Sequence, residues 1–152
     1  MNPILQIVMG GLGTLGFNIL FHLRGKRLLL ATVGGVLSWS VYLLLAPLFP
    51  GEAVRYLLAA VAITIYGEVL ARMEKTPTTT FLVPAIIPLI PGSALYYTMN
   101  FALNKQWSAF IQQAFYTVQL AFSLAAGIIA VTTVVRLVTT WKQRSKALRS
   151  VK

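Results

Sequence analysis

Glu68 and Arg72 stand four positions apart in an otherwise apolar run, a spacing that puts both on one helix face and lets carboxylate and guanidinium pair. Glu68 is the one carboxylate inside an apolar segment. An ionisable group at membrane depth suits proton coupling or gating. A partly hydrated ion pair near the membrane boundary serves structure alone, and the sequence leaves both readings open. His22, the one histidine, adjoins Arg24 and offers a proton relay, a role imidazole fills near neutral pH.

Other reactive groups are scarce. The chain has no Asp and no Cys, and it shows no carboxylate pair, metal-ligand cluster or nucleophile beside a base. These absences point away from an enzyme, a cofactor or a bound metal. Gly11-x-Gly13-x-x-Gly16 has the spacing of a dinucleotide-binding loop, but no strand precedes it and no acidic residue follows about twenty positions later. Small residues that let two membrane helices approach account for it better.

The most informative stretch is Thr76 to Tyr97. Thr76-Pro77 has the form of an N-cap and first helical position. Pro84, Pro88 and Pro91 lack amide donors, so inside a helix they free the carbonyls of Thr80, Pro84 and Ile87. In hydrocarbon a freed carbonyl is tolerated where the backbone is buried in protein or lines a wet cavity. Gly92 permits a true break, and Ser93 is placed to cap a second half-helix whose amino end carries positive partial charge, which suits an anion. Broken helices of this kind form the midplane sites of many secondary transporters. A merely kinked span is the plainer alternative; three prolines and a glycine so close together favour a functional break. Thr78, Thr79, Thr80, Ser93, Tyr96, Tyr97 and Asn100 then supply hydrogen bonds along a substrate pathway, and the Gly92 and Ser93 amides meet a carboxylate.

The elements that must position these groups are membrane helices. Of 152 residues 57% are hydrophobic and 11% charged, with mean hydropathy +0.76, far from the roughly 25% charged residues of soluble chains. Charge-poor runs place five spans at 3–23, 28–50, 56–71, 76–104 and 106–135, giving an all-α membrane domain over 1–135 with a basic tail or helix extension over 136–152. The first span has neither a basic lead nor a small-residue cleavage pattern, so it is expected to be retained. Gln6, Gly10, Thr14, Asn18 and His22 form a winding polar stripe along it that should face other helices or a wet cavity, and Asn18 joins the pathway candidates. Gln112, Tyr116, Gln119, Ser123, Ala126 and Ala130 form a seam on the last span that should face the bundle or a partner.

Net charge is +10, from thirteen Lys and Arg against Glu52, Glu68 and Glu74. The cations sit in short runs beside apolar segments, so anionic lipid headgroups explain them and nucleic acid does not. One side of the membrane receives Arg24, Lys26, Arg27, Arg72, Lys75, Arg136 and the tail cations; the other receives Arg55 and Lys105. That bias predicts an external amino terminus and a cytoplasmic carboxyl terminus.

Gly67 to Met99, with its basic-flanked helix end followed by the Thr- and Pro-rich run, resembles the carboxyl-terminal half of the threonine/serine exporter family. Gly16-Phe17, Phe21 leading into the basic turn, and Gly34-Gly35 are similar too, and Pro88 to Gly92 is the most specific element. Pro88, Pro91, Gly92 and Tyr96 match the family motif. Length and layout are like the small subunit of split, two-gene members. The resemblance implies a proton-driven secondary exporter of small carboxylate-bearing metabolites, threonine and serine in some members and succinate in others. It also implies a multi-pass protein of the bacterial inner membrane that works with a larger exporter-like subunit. A homo-oligomer is a second assembly compatible with the chain. A noncatalytic scaffold or assembly factor is the alternative function.

Overall fold

The computed structural model describes residues 2–150, with side chains placed over 2–141. The elements are α1 (Pro3–Leu20), α2 (Lys26–Leu44), α3 (Glu52–Met73), α4 (Thr79–Ile86), a 3-10 turn (Ile87–Leu89), α5 (Gly92–Leu103) and α6 (Trp107–Ser150). Lipid offers no partner to backbone amides and carbonyls, so apolar runs of this length close their hydrogen bonds internally as helix. Four helices are long and apolar enough to cross a membrane, and α4 with α5, bent by 55° at Ile90–Pro91, passes the same test as a pair and counts as a fifth where the two are one broken span. The chain is an all-α membrane protein. The side chains of the basic tail from Lys142 onward lie outside the described set, while the helix itself runs on through Ser150.

Helix ends follow local chemistry. Asn2 accepts the Ile4 amide at 3.1 Å with Pro3 opening α1. Three helices stop in the same way: His22, Lys75 and Lys105 take positive φ just past the ends of α1, α3 and α5. The next amide in each case returns to a carbonyl five residues back, Leu23 to Asn18, Thr76 to Ala71 and Gln106 to Phe101. This closure satisfies terminal carbonyls and, after α3 and α5, sets a lysine at the negative end of the helix dipole.

Packing is built on small residues. Ala59, Ala60, Ile63, Leu82, Ala85, Leu89, Leu120 and Leu124 form a buried core where α3, α4, the 3-10 turn and α6 meet. α1 lies along α2, with Thr14 pressed onto Gly35 and Asn18 Nδ2 donating to Thr32 Oγ1 at 3.0 Å. The polar stripe of α1 thus turns Gly10, Thr14 and Asn18 into the protein, Gly10 lying beside Pro88 and Trp39. Of the Gly11-x-Gly13-x-x-Gly16 set, Gly11 alone is packed, against Val36, and the other two face open space. α5 leans on α6, where the Thr98 and Thr117 hydroxyls meet at 3.0 Å. Lys26 and Glu74 pair at 2.8 Å and gather the basic turns at one end of the bundle.

A Cβ on Gly35 would overlap Thr14. Gly35→Ala is therefore expected to destabilise the chain by about 1–3 kcal/mol, and adding Thr14→Ala to restore part of that loss, since the hydroxyl and methyl go but the residue 14 Cβ stays 2.6 Å away. A double-mutant cycle of unfolding in mixed micelles measures it; additive effects would exclude the contact.

The prolines do less damage than a regular helix would suffer. Pro88 leaves the Pro84 carbonyl without its usual donor, and the Ile87 amide takes it over. Pro91 does the same to the Ile87 carbonyl, which accepts from Ile90 at 3.2 Å. Tightening to 3-10 pairing satisfies both groups within the segment.

Two local expectations are corrected. α4 starts at Thr79 with Thr78 at its N-cap, two residues later than Thr76-Pro77 suggested, because Thr76 is held by the closure of α3. Ser93 is not a cap; Pro91 precedes α5 and no side chain caps it. On α6 the residues buried in the bundle are Thr117, Leu120, Leu124 and Gly127, one position beyond the polar seam, of which Ser123 and Ala126 are half-buried and Gln112, Tyr116, Gln119 and Ala130 exposed.

Candidate substrate pathway

At the basic end, α3, the start of α4 and the last membrane turns of α6 enclose a cavity of about 700 Å³. Glu68 and Arg72 of α3 line it and pair at 3.2 Å, Glu68 being the more buried partner. Arg72 also donates to the Glu68 carbonyl at 2.9 Å. Thr78 and Thr79 come from α4, and Thr132, Thr133, Arg136 and Thr139 from α6. The Thr132 and Thr139 hydroxyls donate back to Ile128 at 2.8 Å and Val135 at 2.6 Å, which leaves their oxygens as acceptors. Arg136 has no ion pair among the described residues. Glu68 neutralises Arg72, so Arg136 leaves the cavity with one surplus positive charge. Such a site suits a carboxylate, with acceptor oxygens nearby for an ammonium or hydroxyl group.

The second chamber, about 290 Å³, opens at the far side of the break. Pro91, Ser93 and Tyr97 line it from the broken helix, facing Trp39 and Tyr42 of α2, Glu52 and Tyr56 of α3, and Gln113 and Tyr116 of α6. Between the chambers, along each of α3, α4 and α6, stand the buried apolar residues Ala60, Ile63, Ala85, Leu89 and Leu124. In this conformation the route between the two is closed by packed hydrocarbon.

The structure therefore brings Glu68, Arg72, Thr78 and Thr79 together, and separately Pro91, Ser93 and Tyr97. Thr80 and Pro84 instead line a shallow groove with Phe21 and Leu23, and Pro88 lines another with Gln6, Gly10 and Trp39. Gly92 and Tyr96 are exposed, and Asn100 accepts from Asn104 at 2.8 Å. Asn18 is fully buried at the α1–α2 interface, and His22 is exposed in the turn after α1. Sequence reasoning missed Thr132, Thr133, Arg136 and Thr139, whose signal was a polar set on one helical face just where the last apolar run ends.

A family model described as Threonine/Serine exporter, ThrE matches residues 6–134. A curated protein of Corynebacterium glutamicum, named threonine/serine exporter, is 26% identical over 124 residues, covering 82% of this chain. The chain spans about a quarter of that relative's length, 25%. No solved structure matches the chain. The family match runs from within α1 to residue 134 of α6 and takes in the second chamber and the first but for Val135, Arg136 and Thr139, which lie just past its end, so the chain belongs to the threonine/serine exporter family.

Proposed function

We propose that this chain is the membrane subunit of a secondary exporter for small carboxylate-bearing metabolites, threonine and serine first among them, that works with a larger exporter-like subunit. The observation that carries the reading is the cavity at the basic end. It joins one unneutralised arginine to an ion pair whose carboxylate is largely buried and to a set of threonines, at the foot of a helix that breaks midway. Its basic rim supports a cytoplasmic placement in a bacterial inner membrane with the amino terminus outside. Substrate then loads at Glu68, Arg72 and Arg136 and leaves through the chamber beyond the break. Rearrangement of the Glu68–Arg72 pair supplies a place for proton coupling.

Counterflow of labelled threonine, serine and succinate into vesicles holding both subunits tests this. Exchange of threonine or serine is expected, and a folded complex that exchanges none of the three would overturn the proposal. The break offers a second check. A Cβ on Gly92 meets nothing within 4 Å, so Gly92→Ala is expected to transport normally. Pro91→Ala restores an amide donor at the buried joint and is expected to lower flux about tenfold while assembly persists. Loss of assembly with flux per complex unchanged would instead favour a scaffold.

A further inference from the structure

α6 carries a face that the described residues leave uncovered. Thr117, Leu120, Leu124 and Gly127 hold one side of the helix in the bundle, and Gln112, Phe115, Gln119, Phe122, Ala126 and Ile129 fall on the opposite side. Phe115 and Phe122 are each 74% exposed and Ile129 62%. Gln112 and Gln119 are exposed with them, and the small Ala126 is half-buried. The six recur at alternating steps of three and four, the repeat that keeps one seam against a neighbouring helix in a left-handed crossing. Gln112, Gln119 and Ala126 occupy one register of that repeat, and Phe115, Phe122 and Ile129 the other.

Lipid is a poor cover for this face. Gln119 lies twelve residues beyond Trp107, about 18 Å along the helix and just past the middle of a hydrocarbon layer of roughly 30 Å. Its backbone carbonyl accepts from Ser123, while its carboxamide, like that of Gln112, has no hydrogen-bond partner among the described residues. A carboxamide left in hydrocarbon is costly, and membrane helices use such groups to hold other helices. No charged residue stands between Lys105 and Arg136, so in a chain of net charge +10 this is a face on which two copies meet without repulsion.

We infer that α6 is the contact of a homodimer, two copies of this chain packed along the seam about a two-fold axis normal to the membrane. Copies inserted in one orientation run parallel, so each position of the repeat meets its own counterpart, Gln112 on Gln112 and Gln119 on Gln119. The carboxamide is matched to itself: its amide donates to the oxygen of its counterpart and its oxygen accepts in return, which satisfies both groups at mid-depth. An unlike subunit gives no reason for a repeat that is complementary to itself. Phe115 and Phe122 form the apolar layers between, and the polar layers fix register and stoichiometry, which phenylalanine alone would leave open. None of the six residues lines either chamber, so the contact stands apart from the export reading.

The chain has no cysteine, so single cysteines report neighbours directly. The full chain is tested in the membrane of the expressing cell, with and without a larger exporter-like subunit. Ala126→Cys, which leaves both glutamines in place, is expected to give a disulfide-linked product of twice the chain mass on mild oxidation, and Val8→Cys, exposed on α1, to stay single. In lipid vesicles, Gln119→Leu is expected to weaken self-association, read by energy transfer between labelled chains, at least tenfold, and Gln119→Asn less than threefold. Leucine suits lipid better than glutamine, so the variant folds and its lost association reports the seam. Linking of residue 126 to the larger subunit in place of a second copy, equal linking at residue 8, no linking at all, or a Gln119→Leu chain that associates like the wild type would each overturn the dimer.

Discussion

Gly127→Leu is expected to prevent the bundle from assembling. α3 and α6 cross so closely at this residue that a Cβ would lie 2.7 Å from the Leu57 carbonyl oxygen and 2.8 Å from the Ala60 Cβ. The first of these is backbone and cannot rotate away. Alanine already forces the helices apart, at a cost of about 1–3 kcal/mol. Leucine needs a larger separation, which would unpack Ala60, Ile63 and Leu124 together. Such a loss approaches the whole stability of a small domain, about 5–15 kcal/mol. Size-exclusion profiles and unfolding midpoints in denaturing micelles report it, with Gly13→Leu and Gly16→Leu as controls, since nothing lies within 4 Å of either. A monodisperse Gly127→Leu protein with an unchanged midpoint would refute this account of the interface.

The second large effect is functional. Arg136→Gln is expected to raise the half-saturation concentration for threonine on the loading side by roughly 10- to 150-fold, the equivalent of about 1.5–3 kcal/mol for a lost hydrogen bond to a charged group. The residue is exposed and has no ion pair among the described residues, so its removal leaves no buried charge behind and stability should hold. Arg136→Lys keeps the charge but not the planar fork, and should recover part of the loss. Glu68→Gln behaves differently, because it strips Arg72 of its partner and adds a second uncompensated cation to the cavity. Tighter carboxylate binding with slower turnover is the expected signature. Equal half-saturation values for wild type and Arg136→Gln would remove Arg136 from the substrate path.

Much of the architecture was legible because the bilayer imposes simple rules. Span lengths, the break at Pro91 and the gathering of cations at one end all follow from apolar runs, missing amide donors and Lys or Arg placement. The Glu68–Arg72 pair was legible for a similar reason, since four residues on a helix fix its geometry. The contribution of α6 to the cavity was not. Arg136 lies 64 positions beyond Arg72, and in a chain read alone it is simply one of the cations that set orientation. Only the crossing of α3 and α6, fixed by Gly127 and Ala60, sets it opposite Glu68. The packed face of α6 lies one position beyond its polar seam, because closeness of approach marks the inside of a membrane bundle better than polarity does, and Gly127 was the better guide. Asn18 shows the converse, a buried polar group spent on holding two helices together. The outer chamber escaped notice because Glu52 and Tyr116 come from spans far apart in the chain, and each looks ordinary where it stands.

The joint at Ile90–Pro91 has a mechanical meaning. Pro91 has no amide to donate, so the joint is spanned by one short bond, from the Gly92 amide to the Ile90 carbonyl at 2.7 Å. The helical turns beyond the joint stay whole, so α5 is a rigid arm of about 18 Å, hinged at its buried end and held along α6 by the Thr98–Thr117 contact. A swing of about 10° there would carry its tip through roughly 3 Å without breaking a helical turn. Such an arm turns as one piece, and its grip on α6 sets how stiffly it returns.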